Sequence, residues 1–309
     1  MRWVSFRVGG DGPQRTGVLD GGTVRALDPG MTLLALLQDG RLDEAGENAS
    51  RSPAEVFAVD EIVLLPPIPR PPSLRSGLCF LDHLRNCRRV LGDDSDLGAL
   101  WTDEPAFYFS SPAAVIGPTE DVAVPPGCAW FDLELEVAAV LGRPGRDVSV
   151  REAESCIAGY TLMCDWSARD FQSDEMRRGL GLAKTKDCAT TLGPALVTPD
   201  EFAEFGGLAA CTLSAQVDGR TLTTGRTADM DWTFAELIAY ASRGSDLVAG
   251  DVLSSGTVPG GCLLEHLDRP PAEYSGWLRP GNEVVLEGDV LGRTCQRIVR
   301  GDRPGRSRK

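Results

Sequence analysis

The chain is short of two residue types that enzymes rely on. It has two histidines, His83 and His266, and three lysines, Lys184, Lys186 and Lys309. With two imidazoles and no H-E-x-x-H, a histidine-rich zinc site of the common catalytic type is not expected. Basic charge is scarce as a whole: 31 Lys and Arg face 45 Asp and Glu, a net charge of −14. That argues against nucleic acid or an anionic membrane as a partner, since both need a basic face. No run approaches the roughly 18 apolar residues of a membrane-spanning helix. The opening "MRWVSFRVGG" lacks the apolar core of a secretory leader. Nine cysteines are an odd count without a C-x-x-C pair, which fits a reduced, cytoplasmic protein with scattered buried thiols. The patterns G-x-x-x-x-G-K-[ST], G-x-G-x-x-G and G-x-S-x-G are missing too, so neither nucleotide binding nor a serine-hydrolase elbow is expected.

What is present is ordinary in bulk. The 309 residues are 42% hydrophobic and 25% charged, enough for a sizeable core and a small second unit. Residues 1–65 read as short strands and turns ("WVSFRV", "RTGVLD", "TVRAL"), with a short helix in "MTLLALLQDG" that ends at Gly40. The stiff "PPIPRPP", residues 66–72, marks a boundary. Residues 73–300 read mostly as strands, with helices at "DHLRNCRRVLG", after "CIAGYTLMCDW" and at "TFAELIAYAS". The basic tail 301–309 is expected to be flexible.

The most informative stretch is "FDLELEVAAV", residues 131–140. Its alternation is that of a β-strand. Phe131, Leu133, Leu135, Val137, Ala139 and Leu141 share one face. The other face starts with Asp132, Glu134 and Glu136 and continues with Ala138 and Val140, so it turns from acidic to apolar midway. Two readings are open: a strand with a wet acidic edge, or carboxylates at the border of a core that need a counter-charge. A hard divalent cation with oxygen ligands would suit the second.

Other candidates lie elsewhere in the chain. Asp165 ends the apolar run "IAGYTLMC" just before a helix, a place for a ligand or equally for a helix cap. Arg169 and Gln172 share a face of that helix and suit an anionic substrate. Lys184 and Lys186 in "AKTKDC" are surface residues in the ordinary case, yet either would serve as charge compensation beside a carboxylate cluster. His83 and His266 are the only imidazoles for base chemistry near neutral pH, although a lone histidine is more often structural. The Gly-rich "SSGTVPGGCLLEH" offers Thr257 and backbone amides for a carboxylate.

The blocks "FDLELEVAAVLG", "GYTLMCDWSARDFQ", "AKTKDCATTLGPALVTPDEF" and "GDVLSSGTVPGGC", in this order, resemble the fumarylacetoacetate hydrolase family over roughly residues 70–300. The resemblance implies a mixed β-rich α+β fold: a β-roll behind a small N-terminal α/β domain, commonly a homodimer. It implies a divalent cation, Mg²⁺ first and Mn²⁺ or Ca²⁺ next, on Glu134, Glu136 and Asp165. Lys186 rather than Lys184 would be the family lysine. Arg169, Gln172, Tyr108 and Thr257 would contact substrate, and His83, paired with Glu265, would activate water. Asp132 is left over, either supporting the ligands from behind or facing solvent. Ser76 stands where hydrolytic members of the fumarylacetoacetate type carry a metal-binding aspartate. The implied activity is metal-dependent hydrolysis of a C–C bond in a β-dicarbonyl or 2-oxo acid of the acylpyruvate kind. A decarboxylase or an isomerase/tautomerase of a 2-oxo acid, in catabolism or natural-product tailoring, is the alternative. A catalytically silent binding subunit is a third reading.

Overall fold

The computed structural model describes residues 1–179, 181–268 and 276–302. From residue 303 on, the basic tail lies outside the described residues. The chain opens with β1 (Arg2–Val8), β2 (Arg15–Asp20) and β3 (Thr23–Ala26), followed by helices α1 (Leu33–Gln38) and α2 (Leu42–Arg51) and strands β4 (Glu55–Ala58) and β5 (Ile62–Leu65). Thr32 caps α1, its side chain accepting from Ala35 N. The α2 helix was not expected: its sequence "LDEAGENASR" is polar and buries only the small face Ala45, Gly46 and Ala49.

Beyond the Pro-rich stretch come β6 (Leu74–Gly77), α3 (Leu81–Val90), α4 (Ala99–Thr102), β7 (Phe107–Ser110), β8 (Val115–Ile116), β9 (Val122–Val124), β10 (Phe131–Asp132) and β11 (Leu135–Leu141). Next are α5 (Val150–Glu154), β12 (Ile157–Asp165), β13 (Ser167–Ala168), α6 (Arg169–Arg178), β14 (Thr190–Val197), α7 (Pro199–Ala203), β15 (Thr212–Val217) and β16 (Arg220–Arg226). The described part closes with α8 (Phe234–Ala241), β17 (Val252–Ser254), β18 (Glu283–Gly288) and β19 (Gly292–Arg300).

A large mixed sheet runs β4-β3-β2-β1-β14-β12-β11-β17-β6-β7, with β5 on β1 and β8 on β14. The pairing of β1 with β14, Arg2 opposite Val197, carries this sheet across the Pro-rich stretch. A five-stranded sheet, β16-β15-β18-β19-β9, packs against β11, β12 and β14. The architecture is a sheet-rich α+β fold, as the resemblance implied.

Two cores occupy the two faces of the large sheet. Leu135, Val137, Ala139 and Leu141 of β11 point into the larger core with Leu213, Ala215 and Leu286 of the second sheet. Ala138 and Val140 point the other way, into a smaller core with Trp3, Leu33, Leu36 and Ala49. The N-terminal helices therefore cover the second face. That explains why β11 is buried throughout and has no wet edge. The acidic-to-apolar change along the second face is the border between this smaller core and the candidate site.

Candidate active site and metal centre

The carboxylates converge because the strand bearing them is interrupted. Residues 133–134 leave the ladder between β10 and β11, and Asp165 N at the end of β12 donates to Glu134 O at 3.1 Å. Glu136 and Met163 are cross-strand neighbours, so Glu134 and Asp165 fall side by side one pleat further along the same face. One oxygen from each of Glu134, Glu136 and Asp165 lies within 4.8 Å of the others, and all three residues are buried. Asp165 is not a helix cap, since Ala168 holds that position for α6.

Each carboxylate has its own surroundings. Glu134 receives Lys186 Nζ on Oε2, and Arg169 Nη2 at 2.7 Å on Oε1. Burial opposes its ionisation, yet Lys186, Arg169 and His83 outweigh it and hold Glu134 below the usual carboxylate range. Among the described residues, no cation is in direct contact with Glu136. The hydroxyls of Ser76, 3.2 Å from both oxygens, and of Ser254 donate to it. Burial first, then Asp165 and Glu134, push Glu136 well above its usual range. Asp165 is also raised, by burial first, although Lys186 at 3.2 Å and the Tyr108 hydroxyl act the other way. Among the described residues, Asp165 Oδ1 is buried without a hydrogen-bond partner.

Lys186 is 2% exposed, whereas the Lys184 side chain is 67% exposed and pairs with Asp187. Lys186 Nζ also donates to Ser167 Oγ at 2.7 Å and sits 5.3 Å from the Tyr108 ring centroid. Its ammonium is held up by Asp165 and Glu134 against the cost of burial. The loop that delivers it is tied by Glu175, which accepts from Ala183 N at 3.0 Å and from Thr185 N and Oγ1 at 3.2 and 2.7 Å.

Asp132 does not face solvent. It is wholly buried and accepts from Arg169 Nε at 2.8 Å and from the amides of Leu133, Leu263 and Leu264 at 2.8, 2.7 and 3.2 Å. It thereby fastens Arg169 and the turn carrying Glu265 to the carboxylate strand. The Arg169 guanidinium is directed at Asp132 and Glu134, and its Nη1 donates to Gln172 Oε1 at 3.0 Å. Thr257 is buried in the loop after β17, where Val258 N donates to Leu135 O, and no hydrogen bond joins the Thr257 side chain to the carboxylates among the described residues.

His83, on the first turn of α3, lies with Nδ1 2.7 Å from Glu265 Oε1. A carboxylate only accepts, so Nδ1 carries the proton, and in the neutral form of the ring Nε2 keeps its lone pair. Asn86 Nδ2 and Gly260 N hold the other Glu265 oxygen at 2.7 and 2.8 Å. Burial favours neutral imidazole, but Glu265 outweighs it, and His83 sits well above its ordinary pKa. His266 is apart from this pair and donates from Nε2 to the Gly260 carbonyl at 2.8 Å.

The donor set fits a hard divalent cation. Four buried carboxylates, Asp132, Glu134, Glu136 and Asp165, face two fixed cations, Arg169 and Lys186. The excess of two negative charges when all four are ionised, the orphaned Asp165 oxygen and the all-oxygen ligands are what such an ion satisfies. Beside it, bordered by Arg169 and Gln172, opens a cleft of about 580 Å³ walled by Leu91, Met176, Leu264 and the stacked rings of Trp130 and Trp277.

The model of the fumarylacetoacetate (FAA) hydrolase C-terminal domain matches residues 73–299. The chain belongs to the fumarylacetoacetate hydrolase family. Oxaloacetate tautomerase FAHD2A, mitochondrial, of Homo sapiens is 30% identical over 97% of this chain and 92% of its own length. Among solved structures, a fumarylacetoacetate hydrolase from psychrophilic Exiguobacterium antarcticum superimposes with a TM-score of 0.78 at 24% identity, over 97% of this chain and all of that one. A maleylpyruvate hydrolase from Sphingobium sp. SYK-6, in complex with manganese(II) ion and pyruvate, gives 0.72 at 22%, over 98% and 100%. No helix among the described residues is long and apolar enough to cross a membrane.

Proposed function

We propose that this family member is a metal-dependent hydrolase that cleaves a C–C bond of an acylpyruvate-like 2-oxo acid. The observation that carries this reading is the buried His83–Glu265 pair at 2.7 Å, set close enough to the carboxylate cluster for His83 to influence Glu134. In its neutral form, with Nε2 free and Nδ1–H oriented by Glu265, this imidazole is equipped to take a proton from water.

Glu134, Glu136 and Asp165 would hold a divalent cation, with Mg²⁺, Mn²⁺ and Ca²⁺ as candidates. Bound there, it supplies Lewis-acid polarisation of a substrate carbonyl and balances the excess negative charge. His83 Nε2 accepts the proton of the attacking water, and Glu265 stabilises the imidazolium that results. Hydroxide adds to the acyl carbonyl, the adjoining C–C bond breaks, and its electron pair leaves on the 2-oxo acid fragment as an enolate. Lys186 presents its positive charge to that fragment, and protonation by the imidazolium completes the cycle. Arg169, Gln172, Tyr108 and Thr257 are assigned to substrate positioning. The aromatic and aliphatic walls of the neighbouring cleft suit an apolar acyl arm. A homodimer is part of the proposal and is testable by light scattering.

One observation favours a second reading. The human relative is named an oxaloacetate tautomerase, and tautomerisation needs the same base and enolate stabilisation without water attack. The test is an ultraviolet assay on acylpyruvates and oxaloacetate, using chelator-stripped protein with and without Mg²⁺ or Mn²⁺. Metal-dependent loss of enol absorbance with two acid products supports hydrolysis. Enol–keto interconversion without cleavage assigns the tautomerase, and carbon dioxide release assigns a decarboxylase. No turnover in protein that also fails to bind a divalent ion would leave the silent-subunit reading.

A further inference from the structure

Two thiols flank the His83–Glu265 pair and take no part in the chemistry above. Cys87 follows His83 by four residues on α3, so both side chains leave the same helix face. Cys262 precedes Glu265 by three residues at the turn Leu264–His266. Cys87 Sγ lies 3.8 Å from each ring nitrogen of His83, and Cys262 Sγ lies 3.5 Å from Glu265 Oε1. One ligand atom from each of the four residues lies within 4.8 Å of all the others. Cys262, His83 and Glu265 are buried, and Cys87 is half-buried.

This spacing is close to that of a tetrahedral metal site. Metal–sulfur bonds of about 2.3 Å and metal–nitrogen or metal–oxygen bonds of about 2.0 Å place neighbouring ligand atoms roughly 3.3–3.8 Å apart. The two sulfur contacts already match. The His83–Glu265 hydrogen bond, at 2.7 Å, must lengthen by under about 1 Å, and the remaining pairs, all within 4.8 Å, must close by about 1 Å at most. The chemistry selects the ion: two thiols and an imidazole favour zinc-like ions over Mg²⁺ or Ca²⁺, which want oxygen. Asn86 and Gly260 N already fix the second Glu265 oxygen, which orients the first as a ligand.

We propose that His83, Cys87, Cys262 and Glu265 form a second metal site, specific for a thiophilic divalent ion of the Zn²⁺ kind, and that filling it switches the enzyme off. On binding, each thiol loses its proton to solvent, and His83 coordinates as the neutral imidazole through one ring nitrogen. Starting from the neutral ring, the ion replaces two protons and the net charge of the buried cluster does not change; from the imidazolium a third proton leaves with them. The occupied site takes both members of the base pair as ligands, and His83 no longer accepts a proton from water. The inhibition rests on the proposed role of His83; the metal site itself does not.

The test uses reduced, chelator-stripped full-length protein with excess Mg²⁺ present, and Co²⁺ as the probe. The expected result is one equivalent of tetrahedral Co²⁺ per chain, with a thiolate-to-cobalt charge-transfer band that one equivalent of Zn²⁺ displaces. The band is lost in C262A and in C87A and kept in E136Q. Because C262A alters a buried position, the half-buried C87S provides a second variant, with circular dichroism as the check on folding. A cobalt spectrum without thiolate character, or one unchanged in C87S, overturns the site. In the activity assay, equimolar Zn²⁺ should inhibit the wild type. C87S should have the same basal rate and require at least tenfold more Zn²⁺. Equal Zn²⁺ sensitivity in the two proteins overturns the switch. A thiolate–cobalt band in a protein that turns over no acylpyruvate would uphold the site and sink the hydrolase reading instead.

Discussion

Ser76 offers a direct test of where the cation sits. It is wholly buried, with Oγ 3.2 Å from both oxygens of Glu136. Ser76→Asp sets a second carboxylate against Glu136 at roughly 4 Å, where like charges repel by about 4 kcal/mol at an effective dielectric near 20. Protonation offers no cheaper escape, because keeping an aspartate of pKa about 3.9 neutral at a pH of about 7 also costs about 4 kcal/mol. The loss is an upper limit, since burial and then Asp165 and Glu134 already push Glu136 well above the ordinary range. At roughly 2 °C per kcal/mol for a chain of this size, chelator-stripped S76D should melt up to about 8 °C below the wild type. A divalent cation reverses the sign, because the added carboxylate becomes a ligand. Saturating Mg²⁺ or Mn²⁺ should recover most of the loss, and metal affinity should rise about tenfold or more. Calorimetry with and without metal, alongside a metal titration, reads both effects. An equal loss of melting temperature in both states, with unchanged affinity, would refute a cation beside Glu136.

Other perturbations separate the roles within the site. His83 lies well above its ordinary pKa because Glu265 outweighs burial, and a general base must be neutral, so turnover should fall as pH drops through that raised value. Glu265→Gln removes the stabilising charge: the acid limb should move to lower pH and the rate fall about 10²-fold or more, and a limb that stays put contradicts the pairing. Lys186→Met leaves buried Glu134 and Asp165 without their ammonium, which should cost about 3–5 kcal/mol in denaturant melts. Lys184→Met, at an exposed position, should stay within about 0.5 kcal/mol; equal effects would mean the wrong lysine was chosen. Burial raises Glu175, but its bonds to Thr185, Ala183 and Lys184 prevail and hold it below the usual range. Its contribution is therefore present above the unfolded-state pKa and lost as pH falls through the folded one. The stability deficit of Glu175→Ala should be largest near neutrality and shrink in acid, and a deficit independent of pH would rule out the ionised carboxylate as the anchor.

The legible part of the site was the part written in local pattern. The alternation from Phe131 to Leu141 separates two faces, and the structure puts Val137, Ala139 and Leu141 in one core and Ala138 and Val140 in the other. The resemblance chose Lys186 over its neighbour, which no local rule distinguishes. The less legible residues were those whose signal is ordinary. Ser254, Ser167 and Asn86 are common polar residues, and nothing in their neighbourhood marks them as holding Glu136, Lys186 and Glu265. Glu175 reads as one charge among several on a polar helix, yet it ties down the loop of Lys186. Asp132 was left between supporting the ligands and facing solvent, because its partners Arg169, Leu263 and Leu264 come from remote parts of the chain.

By itself the sequence determined element types and the chemistry on offer. Period-two alternation, turn residues and carboxylates spaced along a strand are short-range properties that a chain carries before it folds. Tertiary structure decided what those carboxylates experience. Only the assembly of β6, β7, β17 and the loop of Lys186 around β11 and β12 encloses Glu136 and Asp165. Only the return of the loop at 257–265 against β11 brings Glu265 to His83, 182 positions apart in sequence. The same return places Cys262 beside Cys87. The strength of a charge and the reach of a ligand depend on the surrounding dielectric and on distances closed by the whole fold, which is why they had to be seen in three dimensions.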